Sequence, residues 1–375
     1  MSDVAPEKQH VKAFRFLLGL LVYGVTIGIV VVALAFWWGA NQFTTIGMEA
    51  DEPQLFVVER GDGANTIAFK LHAKDIIHDP YIFMIGTTVL GNHTFLKAGE
   101  YEIQPGMSQR DVMQLMVDGD IVGRRVTIRE GLTSFEVVRH LKGVEELKGE
   151  VDKIPVEGIL YPNTYDYRLN EERQSVLIRM RNMMLEIVLT SCGYVKRAPD
   201  FNTFYDYPDE ELMLAPCHAA TKNPALKDIK TVNDVLTLAS IIEKETSVAE
   251  ERAKVAGVFI NRLNRGIPLQ TDPTVIYAIT KGAHKNDGKG PLGRRLLRKD
   301  LQYDSPYNTY RYPGLPPGPI ANPGKASIKA VLNPESHNYI YFVADGTGGH
   351  AFAKTLAEHN RNVAKWRKIR RAQKK

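Results

Sequence analysis

The chain has 375 residues, of which 44% are hydrophobic and 24% charged, enough for two or three globular domains, and a formal net charge of +5. Residues 361–375 (RNVAKWRKIRRAQKK) hold eight Lys or Arg and no acid, so residues 1–360 carry a net −3, a balance that argues against a nucleic-acid binder. Only two cysteines occur, Cys192 and Cys217, with no CxxC, HExxH or clustered Cys/His spacing, so no metal or cofactor is expected.

Residues 1–15 are polar, with Lys8, Lys12 and Arg15, and Phe16 to Trp38 follow as 23 residues without a charge. As a helix this run is about 34 Å long, enough to cross a hydrocarbon core and too long for a cleaved signal. Trp37 and Trp38 suit an interfacial belt. Basic residues before the run and Asp51 and Glu52 after it predict a cytoplasmic N-terminus with the rest of the chain exported. In an oxidising compartment Cys192 and Cys217 are candidates to pair, although their distance is not legible in a sequence.

After a linker at 39–53, residues 54–59 read as a strand and 65–72 as a short helix with apolar positions at 67, 68 and 71. Similar pieces run from 73 to 85, interrupted at Pro80. A strand at 98–103 and a helix from Ser108 to Val117 follow, the helix capped by Ser108 and Asp111. A second round begins at Arg124: a strand at 126–128, the Glu130-Gly131 turn and a capped helix from Thr133 to Leu141, which together form a weak internal repeat. Residues 158–167 (GILYPNTYDY) form an ordered loop or strand. Residues 177–190 form a helix whose methionines pack a core. These expectations define an α+β chain: cytoplasmic residues 1–15, transmembrane helix 16–38, linker 39–53, a small subdomain at 54–122, a larger mixed α/β domain at 123–360 and a basic tail at 361–375.

In the helix from about Asn233, Val235, Leu238, Ala239 and Ile242 define the buried face. At 100° per residue from Val235, Glu243 lies near about 80°, Lys244 near about 180° and Glu245 near about 280°, so Lys244 is solvated and the two acids flank opposite edges. Ser247 and Glu250 are expected to form the capping box of a second helix ending at Gly266, which sets both acids in the last turn of the first. The helix dipole and the neighbouring like charge would each raise a carboxyl pKa there, as a general acid requires. A plain pairing with Lys244, Arg252 or Arg262 is the competing reading, and periodicity leaves Glu243 and Glu245 tied.

Downstream, Gln270-Thr271-Asp272-Pro273 and Tyr307-Asn308-Thr309-Tyr310 combine aromatic faces with amide, hydroxyl and carboxylate groups, a set suited to a sugar or simply to a turn. Residues 314–324 (GLPPGPIANPG) predict a stiff wall. Residues 339–352 predict a hairpin with His350 beside its turn.

Taken with these segments, the order of ASIIEKET (239–246), VFINRL (258–263), LQTDPTVIY (269–277), YNTY (307–310), GLPPG (314–318), YFVA (341–344) and GHAF (349–352) resembles the MltG-type (YceG-like) endolytic murein transglycosylases. The likeness extends to EGILYPNTY (157–165) and, more weakly, to residues 54–122, similar to that family's LysM-like subdomain. The resemblance implies cleavage of peptidoglycan glycan strands between N-acetylmuramic acid and N-acetylglucosamine without water, leaving 1,6-anhydro ends. It assigns the catalytic acid to Glu243, with Glu245 as the fallback, and lines the cleft with Gln270, Thr271, Asp272, Asn308 and Tyr310. It also implies an inner-membrane enzyme with a periplasmic catalytic domain, linked to penicillin-binding synthases and the elongation machinery. Asn163 departs from the Asp that relatives commonly carry. A non-catalytic peptidoglycan-binding scaffold and an ordinary hydrolase are the alternative readings.

Overall fold

The structure, a computed structural model, describes residues 7–47, 52–195, 208–283 and 292–372. Residues 1–6 of the polar N-terminus, Asp51 and the rest of 48–51 in the linker, and the last three residues of the basic tail lie outside them. The chain divides into two compact units, Met1–Gly123 and Arg124–Lys375. Helices predominate, and the described strands form three antiparallel pairs, in keeping with an α+β chain.

In the first unit, helix α1 (Glu7–Thr44) contains an apolar stretch from Arg15 to Thr44 whose most apolar part is not buried by the protein. The helix does not stop at Trp38 for a linker, as the sequence suggested. It continues through Gly39 to Thr44, and Phe43 gains a buried site whose floor is Gly86, where a Cβ would overlap the Phe43 ring. Beyond it, the Gly47 N–H donates to the Met107 carbonyl at 3.0 Å.

Strand β1 (Gln54–Val58) leads to α2 (Ala64–Ala73), which buries the predicted Ile67, Ala68 and Leu71. Next comes α3 (Pro80–Val89). Pro80 starts this helix instead of interrupting one: its missing N–H and fixed φ suit the first turn, and Asp79 caps by accepting from the N–H groups of Tyr81 (2.7 Å) and Ile82 (3.1 Å). Strand β2 (Gly99–Ile103) pairs antiparallel with β1, Phe56 opposite Tyr101. Helix α4 (Gln109–Asp118) has the Ser108/Asp111 capping box and ends at Gly119 in the left-handed region (φ 74°).

The second unit repeats this order. Strand β3 (Arg124–Thr127) leads through the Glu130-Gly131 turn to α5 (Ser134–Lys142), capped by Thr133 and Glu136, and β4 (Thr164–Tyr167) returns to pair antiparallel with β3. Helix α6 (Arg173–Ser191) buries Met180 and Met184 while Met183 remains exposed. Short helices α7 (Asp209–Met213) and α8 (His218–Thr221) follow, and Cys192 and Cys217 are disulfide-bonded in the core.

The centre of this unit is α9 (Val232–Glu245), whose Thr231/Asp234 capping box starts a run buried from Val235 to Ile242. It is flanked by α10 (Arg252–Asn264), α11 (Asp272–Thr280) and α12 (Lys325–Leu332). The Ser247/Glu250 capping box is absent. A single turn of 3-10 helix at Ala249–Glu251 precedes α10, and Thr246, not Ser247, holds the corner by accepting from the Val248 N–H at 3.1 Å. Strands β5 (Tyr341–Ala344) and β6 (His350–Ala353) form the expected hairpin. The basic tail is the end of an exposed helix, α13 (Leu356–Ala372).

A buried latch joins distant parts of this unit. Glu157 Oε1 accepts from the Ser134 N–H at 2.7 Å, and Asn322 accepts from the Leu160 N–H through Oδ1 at 2.9 Å while its amide donates to the Leu132 carbonyl at 3.0 Å. Burial pushes the Glu157 carboxyl up to about 7, against the pull of the Ser134 donors.

Two outcomes follow from these contacts. Reducing the Cys192–Cys217 bond, which closes a loop over a separation of 25 residues, is expected to destabilise the second unit by about 3 kcal/mol, read as a lower calorimetric Tm in the reduced protein. Folded Glu157 keeps its proton between about pH 4.5 and 7 while the unfolded chain has released it, so its unfavourable contribution to stability grows as pH rises through that window. Glu157→Gln should therefore flatten the fall in stability between pH 5 and pH 8, by up to about 2.5 kcal/mol and read as Tm, and an unchanged slope would contradict the assignment.

Candidate active site

The two acids in the last turn of α9 occupy separate environments. Glu243 Oε2 accepts from the Gly324 N–H at 3.0 Å and from Ser327 Oγ at 2.7 Å, and Oε1 lies 3.4 Å from Arg252 Nη2. Gly324 is the N-cap of α12, so the carboxylate faces the positive end of that helix. The C-terminal dipole of α9, one of the two effects expected from the sequence, is thereby opposed by a second helix pointing the other way. The pairing with Arg252 anticipated by the competing reading is present as well.

A third acid joins them. Glu130, on the turn between β3 and α5, lies 3.6 Å from the same Arg252 Nη2 through its Oε2, and its carboxyl covers Gly324 so closely that any Cβ there would overlap it. Burial and then the Glu243 charge raise the Glu130 pKa, with Arg252 opposing. Its side chain is 45% exposed against 5% for Glu243, so Glu130 is the member of the pair that meets solvent. Tyr161 adjoins Glu130: burial, and then the Glu130 charge, raise its phenol pKa, with the Lys325 backbone opposing.

The Glu130 turn is fixed from both sides. The Gly131 N–H donates to the Asn322 carbonyl at 3.0 Å, and Lys244 Nζ donates to the Gly131 carbonyl at 3.1 Å. Lys244 is solvated as expected, yet its tip has this backbone partner. The proline-rich wall runs along α9, tied by Asn233 to the Pro317 carbonyl (3.0 Å) and by Ser240 to the Ile320 N–H (3.0 Å), which delivers Gly324 to Glu243.

Glu245 belongs to the other cluster. Its carboxyl is pushed up to about 7, mainly by burial and then by the Asp272 charge, with the Thr271 hydroxyl lowering it slightly. That hydroxyl forms no hydrogen bond of full geometry. Asp272 Oδ1 accepts from the Tyr310 hydroxyl at 2.7 Å, and Gln270 Oε1 accepts from Arg262 Nη2 at 2.6 Å, with Gln270 itself at φ 54°. Asn308 is buried and fully engaged, donating to the Leu301 (3.0 Å) and Tyr303 (2.8 Å) carbonyls and accepting from the Tyr310 N–H (3.0 Å). It positions Tyr310 and has no polar group left for a ligand. Gln270, Thr271, Asp272 and Tyr310 thus gather beside Glu245, and the structure does not bring them onto Glu243.

His350 is held by Glu251, with Nδ1 2.7 Å from Oε2 and its N–H donating to Oε1 at 2.9 Å. Among the described residues no group of three or more His, Cys, Asp or Glu is arranged to hold a metal. Sequence reasoning missed Glu130, Arg252 as a shared cation, Tyr161 and Ser327. The only signal for Glu130 was its position in the second strand–turn–helix round, which carries no chemistry by itself.

Chemically, the Glu130–Glu243–Arg252 group sets two carboxyls against one guanidinium, an arrangement that can retain a proton while stabilising a carboxylate. The YceG-like family matches residues 56–365. An endolytic murein transglycosylase of Bacillus subtilis (strain 168) is 32% identical over 343 residues, covering 90% of this chain and 91% of the relative. A relative of the same name from Streptococcus pneumoniae serotype 2 (strain D39) is 32% identical over 295 residues, covering 73% of this chain; the match spans about half, 51%, of that longer protein. A crystal structure of a YceG-like protein from Listeria monocytogenes is 29% identical, covers 83% of this chain and 99% of its own, and superposes with a TM-score of 0.44. With a match over most of its length and such relatives, the chain belongs to the YceG-like family.

Proposed function

We propose that this chain is a membrane-anchored lytic transglycosylase that cuts within peptidoglycan glycan strands, with Glu243 as its acid and base. The chain-long similarity to the Bacillus subtilis endolytic murein transglycosylase is the observation that carries the reaction class. The contacts of Glu243 support the residue assignment.

In this reading, protonated Glu243 gives its proton to the glycosidic oxygen as the C1–O bond of the N-acetylmuramic acid residue breaks. The resulting carboxylate is stabilised by Ser327 Oγ, the Gly324 N–H and Arg252. It then takes the proton from the C6 hydroxyl as that oxygen bonds to C1, closing the 1,6-anhydro ring. The proton is back on Glu243 and no water is consumed, unlike the two-carboxylate hydrolases. Glu130 favours the protonated half of the cycle and the three donors favour the ionised half, so one group can serve in both steps.

Helix α1 acts as a single-pass anchor, with the N-terminus cytoplasmic and the second unit outside, where an oxidising compartment suits the Cys192–Cys217 bond. Cutting close to the membrane selects newly made strands.

Wild-type protein incubated with sacculi should release 1,6-anhydromuramyl ends, detected by mass spectrometry, and Glu243→Gln should lose about 10³-fold of that rate. Reducing ends in their place would indicate a hydrolase, and no cleavage at all a binding scaffold. Loss in Glu245→Gln with retention in Glu243→Gln would move the acid to Glu245. Glu130→Gln keeps the shape and removes the charge that holds the last proton on the pair. The alkaline limb of its pH–rate profile is therefore expected at lower pH than in the wild type, and an unshifted limb would exclude the shared-proton role.

A further inference from the structure

Helix α3 is the feature of the first unit that the proposed reaction leaves unused. Its ten residues, PYIFMIGTTV, carry no charge. Pro80, Phe83 and Thr87 face the core, and the opposite face presents Tyr81, Ile85 and Val89, spaced four residues apart and each at least 60% exposed. Phe69 of α2 extends the patch by packing edge-to-face on Tyr81, with ring centroids 5.8 Å apart. Leu90 and Phe95 prolong it beyond the helix end. Tyr81, Ile85 and Val89 on one helix face, joined by Phe69, form an exposed apolar surface of the kind that marks an interaction site.

The occupant follows from where α3 sits on α1. Gly86 packs against the Phe43 ring, and at 100° per residue Gly86 is about 60° round the helix from Val89, so the apolar face adjoins the flank that touches α1. Phe43 is five residues beyond Trp38, an axial rise of about 7.5 Å, which is the depth of the headgroup layer above the hydrocarbon core. Helix α1 is unbroken across that distance and is then pinned by the Gly47–Met107 hydrogen bond, so no flexible tether separates the span from α3.

The geometry points to α3 as an interfacial membrane helix: its Tyr81–Ile85–Val89 face dips into the headgroup and acyl-chain boundary of the bilayer that α1 crosses, and holds the first unit against the lipid surface. Unlike a free interfacial helix, α3 needs no charged face opposite its apolar one, because that opposite face is buried in the core of the unit. The inference rests on the reading of α1 as a membrane span.

Because Cys192 and Cys217 are bonded to each other, a single introduced cysteine can be labelled selectively with an environment-sensitive fluorophore in the full-length protein reconstituted into phospholipid vesicles. Ile85→Cys and Val89→Cys are tested beside Val30→Cys in α1, with doxyl quenchers attached near the head or near the end of the acyl chain. The expected result is quenching of Ile85→Cys and Val89→Cys most strongly by the shallow quencher, and of Val30→Cys by the deep one. Quenching at Val30→Cys without quenching at the other two overturns the inference and leaves the anchor standing. A blue-shifted but unquenched label at Ile85→Cys, the sign of a protein cover, overturns it as well. No quenching at Val30→Cys removes the anchor, and the inference with it.

Discussion

The candidate site depends on how the charge of Glu243 is compensated at the end of α9. A carboxylate in the last turn of a helix faces the wrong end of that helix's dipole, and this one is almost entirely withdrawn from water. Its compensation comes from three residues on two chain segments: the first residue of α10, and the N-cap glycine of α12 with a serine in that helix's first turn. Each must be delivered by its own packing. The proline-rich wall fixes Gly324, the single turn of 3-10 helix brings Arg252 back towards α9, and the Asn322 contacts hold the Glu130 turn against both. The fold around α9 can be read as the set of constraints that keeps this one carboxylate satisfied.

This arrangement explains why two acids two residues apart differ so much. Glu243 is surrounded by donors to its charged form, set against its burial, the α9 dipole and the neighbouring Glu130. Glu245 is surrounded by burial and by Asp272, both of which favour its neutral form. The two carboxyls thus differ in what surrounds them, hydrogen-bond donors and a shared guanidinium at Glu243 and a second acid at Glu245, a difference that helix periodicity could not supply.

Much of the local structure was legible in the sequence because it is set by short-range rules. The Ser108/Asp111 and Thr133/Glu136 boxes, the buried faces of α2 and α9 and the β5–β6 hairpin all follow from neighbours within a few residues. The errors arose where two local rules competed. By pattern Pro80 breaks a helix, yet it stands at N1 of one, and Ser247 has the spacing of a cap where Thr246 takes the corner. The candidate site was only half legible. Glu243 and Glu245 could be named, but Glu130, Arg252 and Ser327 converge on Glu243 from separations of up to 113 residues, and no periodicity records that. Asn308 illustrates the converse: its residue type suits a sugar, yet the buried position commits its amide to the loop that carries Tyr310.

The most direct test of the central assignment is a structure of the Glu243→Gln variant with an uncleaved glycan strand spanning the cleft. The account predicts the scissile glycosidic oxygen within about 3 Å of the residue 243 side chain, with the C6 hydroxyl of the same muramyl residue able to reach that side chain. A glycosidic oxygen seated instead against Glu245, among Gln270, Asp272 and Tyr310, would contradict it.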